Sequence, residues 1–441
     1  MAQVFLHDLL KGQFGLTLFT FSRILIRSES GFSWHAVFET LRRMLARVGG
    51  IVMNQDGANK IRTGVSRREL LTAASTTAAM AAAGLAMPSG INAAPPEYKK
   101  HAPLENFKYD IEASEARATS GGSAKEANVD EFPISETMAG VSMRLNPGGL
   151  RELHWHAIAA EWAFVIRGNV RTTVISPNGE AESADFGPGD VWYFPKGHGH
   201  ALQCLGPDEA HFILVFDNGH FSEFGTFSIT DWMGHTSPAI LSRNLNLPTS
   251  AFSSIPRDEA YIVQGKIPPA VPEDLRNRDL PENQSPHKFR LAATRPIVFT
   301  GGEERIVSSK EFPIQKTLTG VIQDLKPGAL RELHWHPNAD EWQYYISGRS
   351  RVTIFGAHGR VATEEFRPGQ VAFIKQGFGH CVEQVGDQAT RILIVFNSPV
   401  YEEISLAGWL AANPPALIAD NFGFSAEQVG RLPKGSQGIL G

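Results

Sequence analysis

Cysteine is nearly absent from this sequence. Two occur in 441 residues, Cys204 and Cys381, and they stand at different offsets from the nearest histidine in their respective halves. A disulfide is therefore not expected, and stability has to come from packing; both thiols read as small buried residues in strands. A surplus of positive charge is missing as well. With 41 Lys and Arg against 46 Asp and Glu, the net charge is −5. Without a basic stripe no nucleic-acid partner is expected, and any anion must be held by local charges, which favours a small ligand. Signs of disorder are lacking too: 42% hydrophobic and 20% charged residues are ordinary for globular chains, and the length suffices for two or three domains. Nor is there a strongly apolar run of membrane-spanning quality. Leu70 to Pro96 carries no charge but is rich in alanine and threonine, which give little transfer energy beside leucine or phenylalanine, so no stable membrane span is expected.

That uncharged stretch follows "SRRELL", Ser66 to Leu71. Paired arginines, then a weakly hydrophobic stretch and small residues, resemble a twin-arginine export signal, which is a receptor-read address outside the fold. Residues 53–96 are assigned to this signal, and the expected location is periplasmic or extracellular. Because such signals lie near the start of a chain, Met53 is read as the true start and residues 1–52 as mis-assigned upstream translation.

What the chain has in abundance is turn residues, 42 glycines and 27 prolines. They punctuate short runs such as "VRTTVI", "VWYFP", "FILVF", "RVTIF" and "RILIVF", which read as short strands joined by turns. The fold class is mostly β. A shift of 180 residues superposes "EFPISETMAGVSMRLNPGGLRELHWH" on "EFPIQKTLTGVIQDLKPGALRELHWH", and the register holds through His200 and His380. Two copies of one domain account for this. The expected domains are 102–264 and 289–441, joined by a proline-rich linker over 265–288 that cannot be a central strand or helix interior. Short antiparallel strands at this spacing suggest a sandwich or barrel. After each barrel, "TDWMGHTSPAILSRNL" and "AGWLAANPPALIADNF" read as a short helical hairpin.

His154 and His156 are two apart, so in a strand both rings face one interior while Trp155 points away. Glu161 heads the next hydrophobic run, and "FPKGHG" bends the chain to deliver His200. The second copy supplies His334, His336, Glu341 and His380 in the same order. Three neutral imidazoles and a carboxylate suit a divalent first-row metal with positions left open for ligands. Zinc prefers four-coordinate closure, so manganese or ferrous iron is expected. Leaving several such rings buried and unpaired would cost kilocalories each, which weighs against a purely structural role.

These residues resemble the cupin superfamily. "GGLRELHWHAIAAEWAFVIRG" fits its first motif and "GDVWYFPKGHGH" its second. The doubled "RELHWH", with "EWQYYISG" and "FDNGHFSEFGTFSITDW", is similar to the bicupin oxalate decarboxylases from about Ala102 to the carboxyl end. The resemblance implies two tandem cupin barrels of the jelly-roll, double-stranded β-helix type, with Mn2+ at two sites. It also implies oxalate as substrate, formate and carbon dioxide as products, and dioxygen as a redox partner that is not consumed. Arg151 and Arg331 are implied at the substrate, which suits the planar bidentate grip of arginine on carboxylates. Glu223, in a loop where the first copy has a three-residue excess, is implied as the general acid of a closing lid, and Tyr401 as a residue near the second metal. Lid closure would desolvate Glu223 and raise its pKa, as proton donation requires.

The lid segment reads Ser222, Glu223, Phe224, Gly225, so the serine and glutamate match the family while the next two positions depart. In the second copy Ile394 stands where the family has a glutamate, and Glu402 and Glu403 read as helix-start acids. Catalysis is therefore expected mainly at the first site. An oxalate oxidase yielding hydrogen peroxide is the alternative, a non-catalytic metal-binding bicupin another. Assembly into a homo-oligomer through the helical hairpins is a further expectation.

Overall fold

The computed structural model describes residues 101–271, 275 and 285–441. The expected upstream segment, 1–52, and the twin-arginine-like leader, 53–96, lie outside the described residues. The described chain is built from short antiparallel strands in four sheets, two for each copy of the repeat. In the first copy one sheet runs Val191–Phe194, Glu161–Arg167, Ala210–Phe216, Ala139–Leu145, Gly122–Ala127 and Arg117–Thr119. The facing sheet runs Phe227–Ser228, Gly149–Trp155, Gly199–Cys204, Val170–Ile175 and Ala181–Phe186. The second copy repeats this order. These are the two tandem cupin jelly rolls that the motifs imply.

Alternation places the core. In Gly199–Cys204 the buried residues are His200, Leu202 and Cys204, with half-buried neighbours between them, the period-two pattern of a sheet with one face inward. Both cysteines are free thiols, as the composition suggests; Cys204 is buried as expected, whereas Cys381 is only half-buried.

The copies exchange edges. Lys108–Tyr109, ahead of the first barrel, pairs with Ala372 and Val371 of the second. Lys288–Phe289, ahead of the second barrel, pairs with Trp192 and Val191 of the first. Each arm covers what would otherwise be an open sheet edge. Between the barrels the sheets meet closely: a Cβ at Gly140 would lie 2.1 Å from the Trp342 ring, and one at Gly320 would lie 2.2 Å from the Trp162 ring.

Short helices follow each barrel. In the first copy they are α1 (Ile229–Gly234) and α2 (Pro238–Leu245). Ser228 caps α1 through the Asp231 amide and Pro238 opens α2, both favourable starts. The second copy departs from the expected hairpin. It carries three helices, α3 (Leu406–Ala412), α4 (Pro415–Phe422) and α5 (Ala426–Arg431), because Gly423 ends α4 in the left-handed conformation and Ser425 starts another with a complete capping box. No helix among the described residues is long and apolar enough to cross a membrane.

Candidate metal centres

His154, next to last in the strand Gly149–Trp155, lies directly opposite His200 of Gly199–Cys204. His156 follows one residue past the strand end, and Glu161 opens the next strand. The turn before His200 is closed by Gly197, with φ +78°, whose amide donates to the His156 carbonyl at 2.8 Å. Ligand atoms of His154, His156, Glu161 and His200 lie within 4.8 Å of one another, and all four residues are buried. The second copy brings His334, His336, Glu341 and His380 together in the same way, with His334 opposite His380.

The outer atoms fix which nitrogen faces inward. Nδ1 of His154 lies 2.6 Å from the Glu152 carbonyl oxygen and Nδ1 of His200 2.9 Å from that of His198. His334 and His380 use the carbonyls of Glu332 and Phe378 at 2.7 and 3.0 Å. With Nδ1–H donated outward, the lone pair of Nε2 is turned into the cavity. Trp192 donates to Glu161 Oε1 at 2.6 Å, and Gln343 donates to Glu341 Oε1 at 2.7 Å. Neither support is evident from the repeat, because tryptophan and glutamine do the same work from different strands.

The inward atoms crowd one another without well-formed hydrogen bonds: Nε2 of His156, His200, His336 and His380 and Oε2 of Glu341 are unpartnered, with Glu341 Oε2 3.0 Å from His380 Nε2 and 3.2 Å from His336 Nε2. Orphaned buried polar atoms are costly, and converging in one place they are the signature of a bound cation. Burial holds the His154, His156 and His334 rings well below the usual histidine range, helped in each case by a nearby arginine and neighbouring rings. Neutral imidazole is the form that ligates. The donor set fits a divalent first-row ion and contains no thiolate.

Arg151 is fully buried. Its Nε donates to Glu223 Oε1 at 2.7 Å and its Nη2 to Thr226 Oγ1 at 2.7 Å. Glu223 is buried too, with Oε2 3.6 Å from His156 Nε2, so its 3-10 turn lies against the first centre. Desolvation pushes the Glu223 carboxyl above the usual range against the pull of Arg151, and Glu161 pushes the same way.

At the second centre Arg331 is buried and ion-paired through Nη2 to Glu403, while Tyr401 donates to that carboxylate at 2.7 Å. Burial works against ionisation of Glu403, but Arg331 prevails and holds it below the usual range. Glu403 is thus no mere helix-start acid: it contacts the same Nη2 of Arg331 that Thr226 contacts on Arg151. Glu304 lines the second cavity beside Arg331 and His336, and burial raises its pKa.

Sequence reasoning also missed the glutamate inside "RELHWH". Glu152 accepts from Ser228 Oγ and the Tyr261 amide, each at 2.8 Å, and from Thr230 Oγ1 at 2.6 Å. Glu332 accepts from Ser436 and from the amides of Gln437 and Gly438. Each carboxylate pins the segment after its barrel onto the metal-bearing strand.

Comparison with known proteins agrees with this geometry. The cupin family profile matches residues 112–251 and 289–430. The chain is 40% identical to the oxalate decarboxylase OxdC of Bacillus subtilis over 324 residues, covering 74% of this chain and 83% of that protein. It is 32% identical to a probable oxalate decarboxylase of Arthroderma benhamiae, covering 76% and 83%. The chain belongs to the bicupin oxalate decarboxylases of the cupin family. Solved structures of the Bacillus subtilis enzyme agree with this cupin at a TM-score of 0.72 and 37% identity, covering 77% of this chain and 90% of theirs. One of them concerns that enzyme's Mn(II) centres.

Proposed function

We propose that this bicupin is a manganese-dependent oxalate decarboxylase that works mainly at its first centre, with dioxygen as a redox partner that is not consumed. The reaction is C2O4(2−) + H+ → HCO2(−) + CO2. The observation that carries the reading is the placement of Glu223: buried, 2.7 Å from Arg151 and 3.6 Å from His156.

His154, His156, Glu161 and His200 would hold manganese, which would supply Lewis acidity and a one-electron couple there. Arg151 stays cationic although desolvation works against it, because Glu223, Tyr261 and Glu259 together outweigh that cost. Its fork orients one carboxylate of the substrate. When carbon dioxide leaves, the remaining carbon needs a proton. Glu223, with its pKa raised by burial, delivers that proton from Oε2 and is reprotonated from solvent when the lid opens. Closure also excludes water and oxygen from the carbon during transfer. Without the acid, oxygen would capture that carbon and the balance would become C2O4(2−) + O2 + 2H+ → 2CO2 + H2O2, the oxidase outcome.

The test is incubation of the manganese-loaded protein with oxalate, measuring carbon dioxide, formate and peroxide together. Formate close to stoichiometric with carbon dioxide is expected. Glu223→Gln should lose formate production by at least about a hundredfold, the usual scale of general acid catalysis; normal decarboxylation by that variant would exclude Glu223 as the donor.

Both arginines are ion-paired, Arg151 to Glu223 and Arg331 to Glu403; what separates the centres is that the carboxyl beside Arg151 is raised toward its protonated form while the one beside Arg331 is held ionised. We assign the second centre a structural or electron-transfer role, with Tyr401 and Arg331 as its anion-side residues. Export through the "SRRELL" leader is part of the same reading, and fusion of residues 53–96 to an export-dependent reporter tests it. Exposed Trp232 on α1, Ile240 on α2, and Trp409 and Leu417 on α3 and α4 make a homo-oligomer through the helices the favoured assembly, which light scattering checks.

A further inference from the structure

The lid departs from the family at Phe224 and Gly225, yet its turn lies against the first centre, so something in this chain holds it there. The lid is a single 3-10 turn, Glu223–Gly225, capped by Ser222, whose Oγ accepts from the Phe224 amide at 3.1 Å. One turn has too few internal hydrogen bonds to keep its own shape.

Two side chains grip it from the strands behind. Glu126, on Gly122–Ala127, is 7% exposed. Its carboxylate accepts from Ser222 Oγ at 3.0 and 3.1 Å and from the Glu223 amide at 3.1 Å. Asn128 fixes its orientation by donating to Oε1 at 3.2 Å. Arg117, on Arg117–Thr119, lies with its guanidinium 5.7 Å over the Phe224 ring and 4.0 Å over the Tyr261 ring. Its Nη1 also donates to the Phe224 carbonyl at 3.4 Å. The Phe224 ring meets Tyr261 edge-on at 5.8 Å. Glu259 pairs with Arg117 at 2.9 Å and accepts from Thr226 at 3.3 Å, tying the far side of the turn to the same cluster. Hydrogen bonds to a buried carboxyl and cation–π contacts at partly dry sites are both worth more than at the open surface.

We propose that Glu126 and Arg117 form a two-point clasp, Glu126 on the Ser222 hydroxyl and the Glu223 amide and Arg117 on the Phe224 ring, and so act as positioning residues for Glu223. The proposal rests on the reading of Glu223 as proton donor. Phe224 is then no defect in the lid: its ring supplies the surface that the Arg117–Tyr261 pair holds. Phe224 and Gly225 favour a strongly latched lid over an oxidase-like open one. Opening to admit oxalate must break both grips, so the clasp sets how long Glu223 stays over the carbon that needs a proton.

The experiment pairs hydrogen exchange of the manganese-loaded protein with product analysis, for Glu126→Ala, Phe224→Ala and Phe224→Tyr. Exchange at the amides of Glu223 and Phe224 should quicken roughly tenfold or more in the first two variants, as local opening becomes easier. The formate-to-peroxide ratio should fall at unchanged metal content. Phe224→Tyr keeps the ring and should behave as wild type, which a general loss of stability would not reproduce. Phe224→Ala guards the test should Glu126→Ala fold poorly. Unchanged exchange in Phe224→Ala, or faster exchange with an unchanged product ratio, would overturn the clasp. A normally decarboxylating Glu223→Gln would instead overturn the proton-donor reading, while the exchange data still report on the clasp itself.

Discussion

Gly320 of the second barrel lies against the indole of Trp162 in the first, so close that a Cβ there would sit 2.2 Å from the ring. The relation is reciprocal, since Gly140 meets Trp342 at 2.1 Å. Each tryptophan directly follows a metal-ligand glutamate, Glu161 or Glu341. Trp162 is further tied by its Nε1, which donates to Gln315 Oε1 at 2.8 Å. The interface between barrels and the two centres therefore share a backbone.

Gly320→Ala should destabilise the protein by about 1–3 kcal/mol, the usual cost of overpacking a filled core. Denaturant unfolding measures it. An unchanged midpoint would mean that the barrels can part at no cost. Because the displaced Trp162 sits beside the ligand Glu161 on one strand, a small loss of bound metal from the variant is expected as well.

Arg151→Lys should raise KM for oxalate by roughly tenfold to a hundredfold, the loss of about one charge-assisted hydrogen bond of the fork. Lysine keeps the charge but not the paired donors that now reach Glu223 and Thr226. Steady-state kinetics separates the cases: a fall in kcat alone would place Arg151 with the proton relay and not with the substrate.

Much of this is legible in the sequence. The two-residue spacing of His154 and His156 put both rings into one interior, and the 180-residue register found the second set unaided. What stayed hidden was contact between distant segments. Glu126 lies 97 residues from the Glu223 amide that it accepts from, and nothing in a strand pattern names such a partner. Glu403 was misread because the three-residue excess in the first copy hides its equivalence to Thr226. The exchanged arms, Lys108–Tyr109 and Lys288–Phe289, are two residues long, too short to show periodicity.

Burial pushes the Glu126 carboxyl from its ordinary 4.5 up to about 7, against the Ser222 hydrogen bond and with Glu131 and Glu223 adding to the rise. A carboxyl raised in this way binds its proton more tightly in the folded state. Its contribution to stability is full below pH 4.5 and is lost as the pH rises through about 7. Wild type should therefore lose stability relative to Glu126→Gln between pH 5 and pH 8. After discounting for solvent screening the difference is on the order of 1 kcal/mol, or roughly 2 °C. Thermal unfolding of both proteins at both pH values checks it, and a gap that does not change with pH would show an ordinary carboxyl.

Removing one ring from each centre asks whether the two halves share the work. His200→Ala and His380→Ala each take away one of three imidazoles, and loss of a buried ligand should lower metal content from two ions per chain toward one. Both arginines are ion-paired, but the carboxyl beside Arg151 is raised toward its protonated form, whereas the one beside Arg331 is held ionised. His200→Ala should consequently abolish formate production, while His380→Ala should retain at least roughly a tenth of it per remaining ion. Both variants should melt earlier than wild type, and added manganese should restore less of the difference than it does for chelator-stripped wild type, because stabilisation by a ligand scales with its affinity for the folded state. Elemental analysis with oxalate turnover on the same samples decides the question. Equal loss of activity in both variants would mean that the second centre takes part in every turnover, by passing electrons or by holding the first barrel in shape through Trp162 and Trp342.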